Sequence, residues 1–183
     1  MKTLSASFFA CSAVELAPKL LGKVVRKGSC TGIIVETEAY GTDPASHAYK
    51  ITPRSKIMQE TYGHWYVYFT YGMHHCANIT CDKEGIGAVL IRAVEPLEGL
   101  GVMKHRRETT EVENLANGPA KFCEAFSITK KENGSPVGSD FTIYHAPAIP
   151  KNKIATSPRI GISAGRSLLW RFYIKNNLFV SKK

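Results

Sequence analysis

The sequence predicts an α+β fold in which a mainly antiparallel β-sheet is flanked by short helices. Runs of β-branched and aromatic residues alternate with turn residues, a pattern typical of strands joined by hairpins. Helix signals are confined to short segments, at Ser12 to Glu15 and after Pro96 and Pro119. A length of 183 residues with 44% hydrophobic residues favours one domain with a real core, and we expect residues 1–183 to form a single unit.

The first element is a short helix. Ser12 and Glu15 have the spacing of a capping box, and Gly22 is typical of a helix stop. Because proline disrupts a helix interior, the helix is predicted to begin near Glu15 and to carry Pro18 in its first turn.

A β-hairpin is predicted next, from strands over residues 23–27 and 32–40. Residues two apart on a strand point to the same side. The second strand therefore combines two acids and an aromatic residue on one face, made of Ile34, Glu36, Glu38 and Tyr40.

A long polar loop and an aromatic hairpin follow. The loop, residues 41–63, contains His47 and the cationic segment 52–56, and long ordered loops are often functional. Strands over 65–72 and 75–80 meet at a turn over 71–74. Alternation places Tyr66 and Tyr68 on one face and Trp65, Val67, Phe69 and Tyr71 on the other, and both faces cannot enter one core.

The remaining elements are a third strand, two helices and one short strand. Residues 88–94 form an apolar strand whose only charge is Arg92. A helix is predicted from Pro96 to the basic run at residues 104–107, and a second helix from Pro119. Residues 133–158 are predicted as loops with one strand over 141–145.

Composition indicates a basic intracellular protein. The net charge is +9, and a chain this basic commonly binds a polyanion, usually nucleic acid, although simple solubility would also explain it. The five cysteines lack zinc spacing, and adjacent His74 and His75 would point to opposite faces of a strand, so we predict reduced thiols, no metal and no cofactor. With no membrane-length apolar run, we expect a monomer without membrane contact, in the cytoplasm or nucleoid, or in the nucleus of a eukaryote.

Three charged residues could carry chemistry. Glu36 and Glu38 could act as a glycosidase pair, or each could form a structural ion pair. Arg92, flanked by apolar residues, needs a carboxylate partner, which the acid-bearing strand can supply. Residues alone leave open whether Arg92 assists catalysis or only braces these acids.

Several segments together resemble the family of alkyladenine DNA glycosylases, also called 3-methyladenine or methylpurine DNA glycosylases. The matching segments run in the same order over nearly the whole chain: VETEAY (35–40), YVY (66–68) with YGM (71–73), VLIRAVEPLEG (89–99), NGPAKFC (117–123) and RIGI (159–162). The resemblance implies a curved sheet and a protruding β-hairpin that enters the DNA minor groove.

The resemblance also implies an activity: a monofunctional enzyme that flips alkylated purines out of duplex DNA and hydrolyses the N-glycosidic bond. Its site residues map here to a general base, Glu38, and a water-holding Arg92. The pocket contacts are Tyr40, His47, Tyr68 and Asn78, with the backbone of Ile162 as a further water contact and Tyr71 as the intercalating wedge. The basic side chains expected on DNA phosphates are Lys104, Arg106, Arg107 and Lys121.

Other function classes stay open at this point. A non-catalytic nucleic-acid-binding module would explain the charge and the aromatic residues but not Glu38 opposite Arg92. A carbohydrate glycosidase would use the Glu pair but not the charge of +9. A lyase would need an amine nucleophile, and the matched pocket segments contain no Lys. Departures from the family pattern, such as His74 and His75 after the YGM turn, leave the range of lesions open, including hypoxanthine and ethenoadenine.

Overall fold

One antiparallel β-sheet forms the centre of the protein in the computed structural model, which describes residues 2–70, 72–138 and 140–182. Its strands are β1 (Val24–Lys27), β2 (Cys30–Tyr40), β3 (Trp65–Thr70), β4 (His74–Cys81), β5 (Gly87–Glu98), β6 (Phe141–Tyr144), β7 (Ile154–Ser157) and β8 (Arg171–Ile174). The main path runs β3-β4-β5-β2-β1-β6, and β8 pairs with both β2 and β7. The sheet curls into a half-barrel, which confirms the predicted α+β class.

The helices are few and short. They are α1 (Ala13–Leu20), α2 (Ile57–Glu60), α3 (Leu100–Arg107) and α4 (Pro119–Ala125), with 3-10 turns at Ala6–Phe9, Val112–Asn114, Lys130–Glu132 and Lys151–Lys153. The predicted start of α4 at Pro119 is confirmed. No helix in the described part of the chain is long and apolar enough to cross a membrane.

Helix α1 begins earlier than predicted. The backbone N–H of Ser12 donates to the Glu15 carboxylate at 3.3 Å, so the capping box sets the start at Ala13. Pro18 consequently lies inside the helix and not in its first turn. A proline there costs about 3 kcal/mol, and burial of the apolar face of the helix, including Leu16 and Leu20, offsets this cost.

The predicted start of the next helix at Pro96 was also wrong, because β5 continues to Glu98, whereas its predicted end in the basic run at 104–107 is confirmed. Pro96 pairs with Gly32 at a register shift of the β2–β5 ladder, an irregularity that tolerates a missing backbone N–H. The chain breaks at Gly99, whose φ is +79° and whose added Cβ would lie 2.7 Å from the Ser29 carbonyl oxygen. Helix α3 therefore starts only at Leu100.

Strand β3 divides its aromatic residues between two environments, as predicted. Trp65 and Val67 belong to the main core, where the Trp65 ring stacks on Phe141 with centroids 3.5 Å apart. Tyr66 belongs to a second, smaller cluster, against which Tyr68 packs. The second face of β3 thus packs against the smaller cluster and not against the main core.

A β-bulge in β2 corrects the predicted face of that strand. The ladder to β5 changes register on both sides of Glu36. Ile34 and Ala39 both belong to the main core. Regular alternation places Ala39 on one face of the strand and Glu38 and Tyr40 on the other face. The extra residue at the bulge therefore separates Ile34 from the acidic residues, which face away from the core.

Candidate active site

Glu38 lies fully buried and is held by donors from three parts of the chain. Its Oε1 accepts the backbone N–H of Ile160 at 2.7 Å, and its Oε2 accepts the Tyr40 hydroxyl at 2.8 Å. Arg92 Nη1, on β5, lies 3.5 Å from the same Oε2. The carboxylate is thereby fixed in orientation, and the three residues that hold it all line one cleft.

Glu36, two residues before Glu38 on β2, has a different set of partners. Its Oε1 lies 2.6 Å from Arg171 Nε, 3.1 Å from Arg92 Nε and 2.9 Å from the Ser181 hydroxyl. Its Oε2 accepts the Ser181 backbone N–H at 2.6 Å. Glu36 therefore accepts structural hydrogen bonds, one of the two roles that the sequence left open for it.

Arg92 joins the two acids. One side of its guanidinium contacts Glu36 through Nε, and the other reaches Glu38 through Nη1. The prediction that Arg92 has a carboxylate partner is confirmed, and Arg92 contacts two carboxylates. With Arg171, the network holds two positive and two negative charges, so the buried charges are paired.

An aromatic pocket opens beside Glu38. Its walls include Tyr40, His47, Tyr66, Tyr68 and Asn78, and its volume is about 30 Å³. It continues into a wider cleft of about 460 Å³, which also contains Arg92 and residues 160–163. The structure therefore brings together Glu38, Arg92 and every residue predicted for the base pocket.

Two arginines stack on the outer tyrosines of the pocket. Arg159 lies 4.7 Å from the centre of the Tyr40 ring and is itself bound to Asp43. Arg54 lies 4.9 Å from the centre of the Tyr68 ring. Burial raises the pKa of both tyrosines well above the ordinary value, and the Glu38 charge adds to this for Tyr40. The Tyr40 hydroxyl therefore keeps its proton and donates it to the Glu38 hydrogen bond.

His47, in the loop after β2, meets two tyrosines of β3. Its Nδ1 lies 2.8 Å from the Tyr66 hydroxyl, and its ring packs edge-on against Tyr68 with centroids 4.7 Å apart. Desolvation, followed by the charge of Arg54, lowers the pKa of His47. At neutral pH the imidazole is therefore uncharged.

Asn78 and Ile162 occupy different parts of the site. Asn78 is buried on β4 and donates from Nδ2 to the Tyr66 carbonyl at 3.1 Å. Ile162 lines the cleft, and its carbonyl accepts Arg166 Nε at 3.1 Å. The direct backbone contact to Glu38 comes instead from Ile160, two positions earlier.

Most of the basic residues predicted on DNA phosphates make contacts within the protein. Arg106 donates to the Ala125 carbonyl at 2.9 Å, Arg107 pairs with Glu124, and Lys121 donates to Asn117 at 2.7 Å. Lys104 is half-buried on α3. Their contacts with DNA stay a prediction.

Tyr71, the predicted wedge, lies outside the described residues. The residues around it form the β3–β4 turn, in which Gly72 has a φ of +68° and Met73 is 67% exposed. The five cysteines are free, as predicted. Within the described ranges, no group of three or more His, Cys, Asp or Glu side chains is placed to hold a metal ion.

Sequence reasoning missed four contributors to the site: Tyr66, Ile160, Arg171 and Ser181. Arg171 could have been found, because it stands among apolar residues in LLWRFYI just as Arg92 does in VLIRAV. Tyr66 shares the strand face of Tyr68, which was a usable signal. Ser181 and the Ile160 N–H carry no sequence signal of their own.

A buried carboxylate paired with an arginine beside an aromatic pocket, in a basic chain, is the arrangement expected of a hydrolase of the glycosylase class. The model of the methylpurine-DNA glycosylase family matches residues 7–178. A protein of Prosthecochloris aestuarii, named as a putative 3-methyladenine DNA glycosylase, is 47% identical over 96% of this chain and 89% of its own length. A protein of the same name from Agrobacterium fabrum is 45% identical over 97% of this chain and 91% of its own length. The chain belongs to the methylpurine-DNA glycosylase family.

Proposed function

We propose that this protein is a monofunctional DNA glycosylase that removes alkylated purines, of the 3-methyladenine and 7-methylguanine type, from duplex DNA. The observation that carries the proposal is Glu38, a buried carboxylate held by Arg92 and Tyr40, two residues that line the cleft. The names of the relatives agree with this substrate class.

The cleft of about 460 Å³, whose lining includes Tyr40, His47 and Tyr68, suits a flipped, positively charged base. Alkylation at N3 or N7 gives a purine a positive charge, and the electron-rich faces of Tyr40 and Tyr68 attract a cation. The neutral His47 adds no repelling charge. Since the pocket lies within the protein, the base must leave the helix stack to reach it, and this extrusion costs a few kcal/mol.

The chemistry follows from the position of Glu38. Departure of the base leaves oxocarbenium character on the sugar, which a nearby carboxylate stabilises. Glu38 then takes a proton from the attacking water while Arg92 orients that water. The purine leaves with the bonding electrons, and the water oxygen forms the new bond to C1′. No lysine stands among the described residues that line the pocket and cleft, which argues against an amine nucleophile.

Incubation with methylated duplex DNA, followed by chromatography of the released bases, tests the proposal. We expect 3-methyladenine and 7-methylguanine in the soluble fraction, in the presence or absence of EDTA and without a borohydride-trapped adduct. Binding to this DNA without release of any base would favour a non-catalytic nucleic-acid-binding module. Release of hypoxanthine or ethenoadenine from matching substrates would extend the lesion range to neutral purines.

A further inference from the structure

The segment at residues 180–182 folds back onto the buried charge network. Val180 is buried. Asn177, three residues earlier, binds Glu95 at 2.8 Å and accepts the Phe179 N–H at 2.9 Å. Arg171 donates to the Lys182 carbonyl. These contacts hold the segment in one position beside β2 and β5.

Ser181 is the part of this segment that enters the network. Its backbone N–H donates to Glu36 Oε2 at 2.6 Å, and its hydroxyl donates to Glu36 Oε1 at 2.9 Å. The same hydroxyl oxygen accepts from Arg92 Nε at 3.2 Å. One serine therefore contacts both a buried acid and the arginine that reaches Glu38.

We infer that Ser181 is a positioning residue for catalysis, which holds Arg92 in the orientation that faces Glu38. The inference rests on the proposed function of Glu38 and Arg92. Ser181 touches neither Glu38 nor the pocket, so it acts through Glu36 and Arg92.

The physical argument concerns competition for Arg92. Glu36 is fully buried, and a buried carboxylate that loses a donor draws the remaining cations closer. Arg92 already lies nearer to Glu36, at 3.1 Å, than to Glu38, at 3.5 Å. Loss of the Ser181 hydroxyl leaves Glu36 short of one donor and Arg92 Nε short of one acceptor. Both changes favour rotation of Arg92 toward Glu36 and away from Glu38.

Ser157 provides a matched control. Its hydroxyl accepts from Arg171 Nη1 at 3.0 Å, so it touches the same network from the side away from Arg92. Ser157→Ala removes the same kind of group, and this hydroxyl makes no direct contact with Arg92 or Glu36. An effect that is specific to Ser181 must exceed the effect at Ser157.

The test measures single-turnover excision, equilibrium binding to lesion duplex and thermal unfolding for four variants and the wild type. The variants are Ser181→Ala, the isosteric pair Ser181→Thr and Ser181→Val, and Ser157→Ala. We expect Ser181→Ala to excise about 10- to 100-fold more slowly with binding changed by less than about twofold, because a small displacement of a positioning group affects the reacting geometry more than binding. Ser181→Thr keeps the hydroxyl and should excise about tenfold faster than Ser181→Val, and Ser157→Ala should match the wild type.

Three results would overturn the inference while leaving the proposed function intact. They are wild-type excision by Ser181→Ala, equal rates for Ser181→Thr and Ser181→Val, and an equal fall for Ser157→Ala. If Ser181→Ala unfolds, the isosteric pair decides, since Thr and Val differ only in the hydroxyl. A wild type that releases no methylated base overturns the proposed function and, with it, this inference.

Discussion

Glu36 and Glu38 stand two residues apart on β2, yet their surroundings differ in kind. Glu36 is enclosed by Arg171, Arg92 and Ser181, which supply four close contacts. Glu38 is equally buried, but its three donors, on Tyr40, Arg92 and Ile160, belong to residues that all line the cleft. The difference supports the proposed division of roles, in which Glu36 holds Arg92 in place and Glu38 meets the substrate.

The largest effect is expected from Glu38→Gln. The amide keeps the shape and much of the hydrogen bonding but cannot accept a proton, so excision should fall about 10²- to 10⁴-fold while lesion binding persists. Single-turnover excision and equilibrium binding measure the two quantities. Near-normal excision by this variant, together with an inactive Glu36→Gln protein, would reverse the roles of the two acids.

Glu36→Gln should act mainly on stability. Removing one charge from a buried pair leaves Arg171 and Arg92 with one acid fewer, which costs about 3 kcal/mol or more. Chemical denaturation measures the free energy of unfolding, and excision at low temperature by the folded fraction should fall less than for Glu38→Gln. Glu60→Gln, which changes an exposed ion pair with Lys56, is the control and should change stability by less than about 1 kcal/mol.

Tyr71→Ala tests how the damaged base reaches Glu38. If Tyr71 fills the space left by the flipped base, its removal should slow excision from duplex DNA by about tenfold or more, since unstacking costs a few kcal/mol. A lesion in single-stranded DNA should be affected less. Ethenoadenine fluorescence reports the flipped fraction, and Phe69→Ala, on the same hairpin and 41% exposed, serves as the control. Equal losses of excision rate on single-stranded and duplex DNA would show that Tyr71 is not the intercalating wedge.

The smallest effect is expected from Arg54→Ala, through His47. The Arg54 charge contributes to the lowered pKa of His47, so its removal raises that pKa. As the pH is lowered, His47 in this variant takes up its proton at a higher pH than in the wild type. The protonated ring repels a cationic purine, so the loss of binding should also begin at a higher pH. Titration of His47 by NMR and the pH dependence of binding measure both. Lys56→Ala removes another cation of the same loop, and an equal shift in that variant would contradict the local explanation.

Local pattern predicted the strands that carry the site. Alternation along β3 correctly separated Trp65 and Val67 from Tyr66 and Tyr68, because one face of a strand meets the core and the other does not. A lone Arg92 in an apolar strand correctly predicted a carboxylate partner. The errors fell where tertiary contacts override local preference: Pro18 inside α1, Pro96 within β5, and Ile34 beyond the bulge.

The sequence by itself determined strands β1 to β6, the acidic and aromatic faces and the family, because these depend on neighbouring residues and on matching segments, whereas β7 and β8 were not predicted. Only the tertiary structure decided which donors surround each acid and which of those donors line the cleft. The groups that make this difference lie far along the chain: Ile160 is 122 positions from Glu38, and Arg171 and Ser181 are 135 and 145 positions from Glu36. Strand β8 and the segment at 180–182 bring Arg171 and Ser181 beside β2, and contacts over such separations arise from the packing of the whole sheet and not from any local pattern.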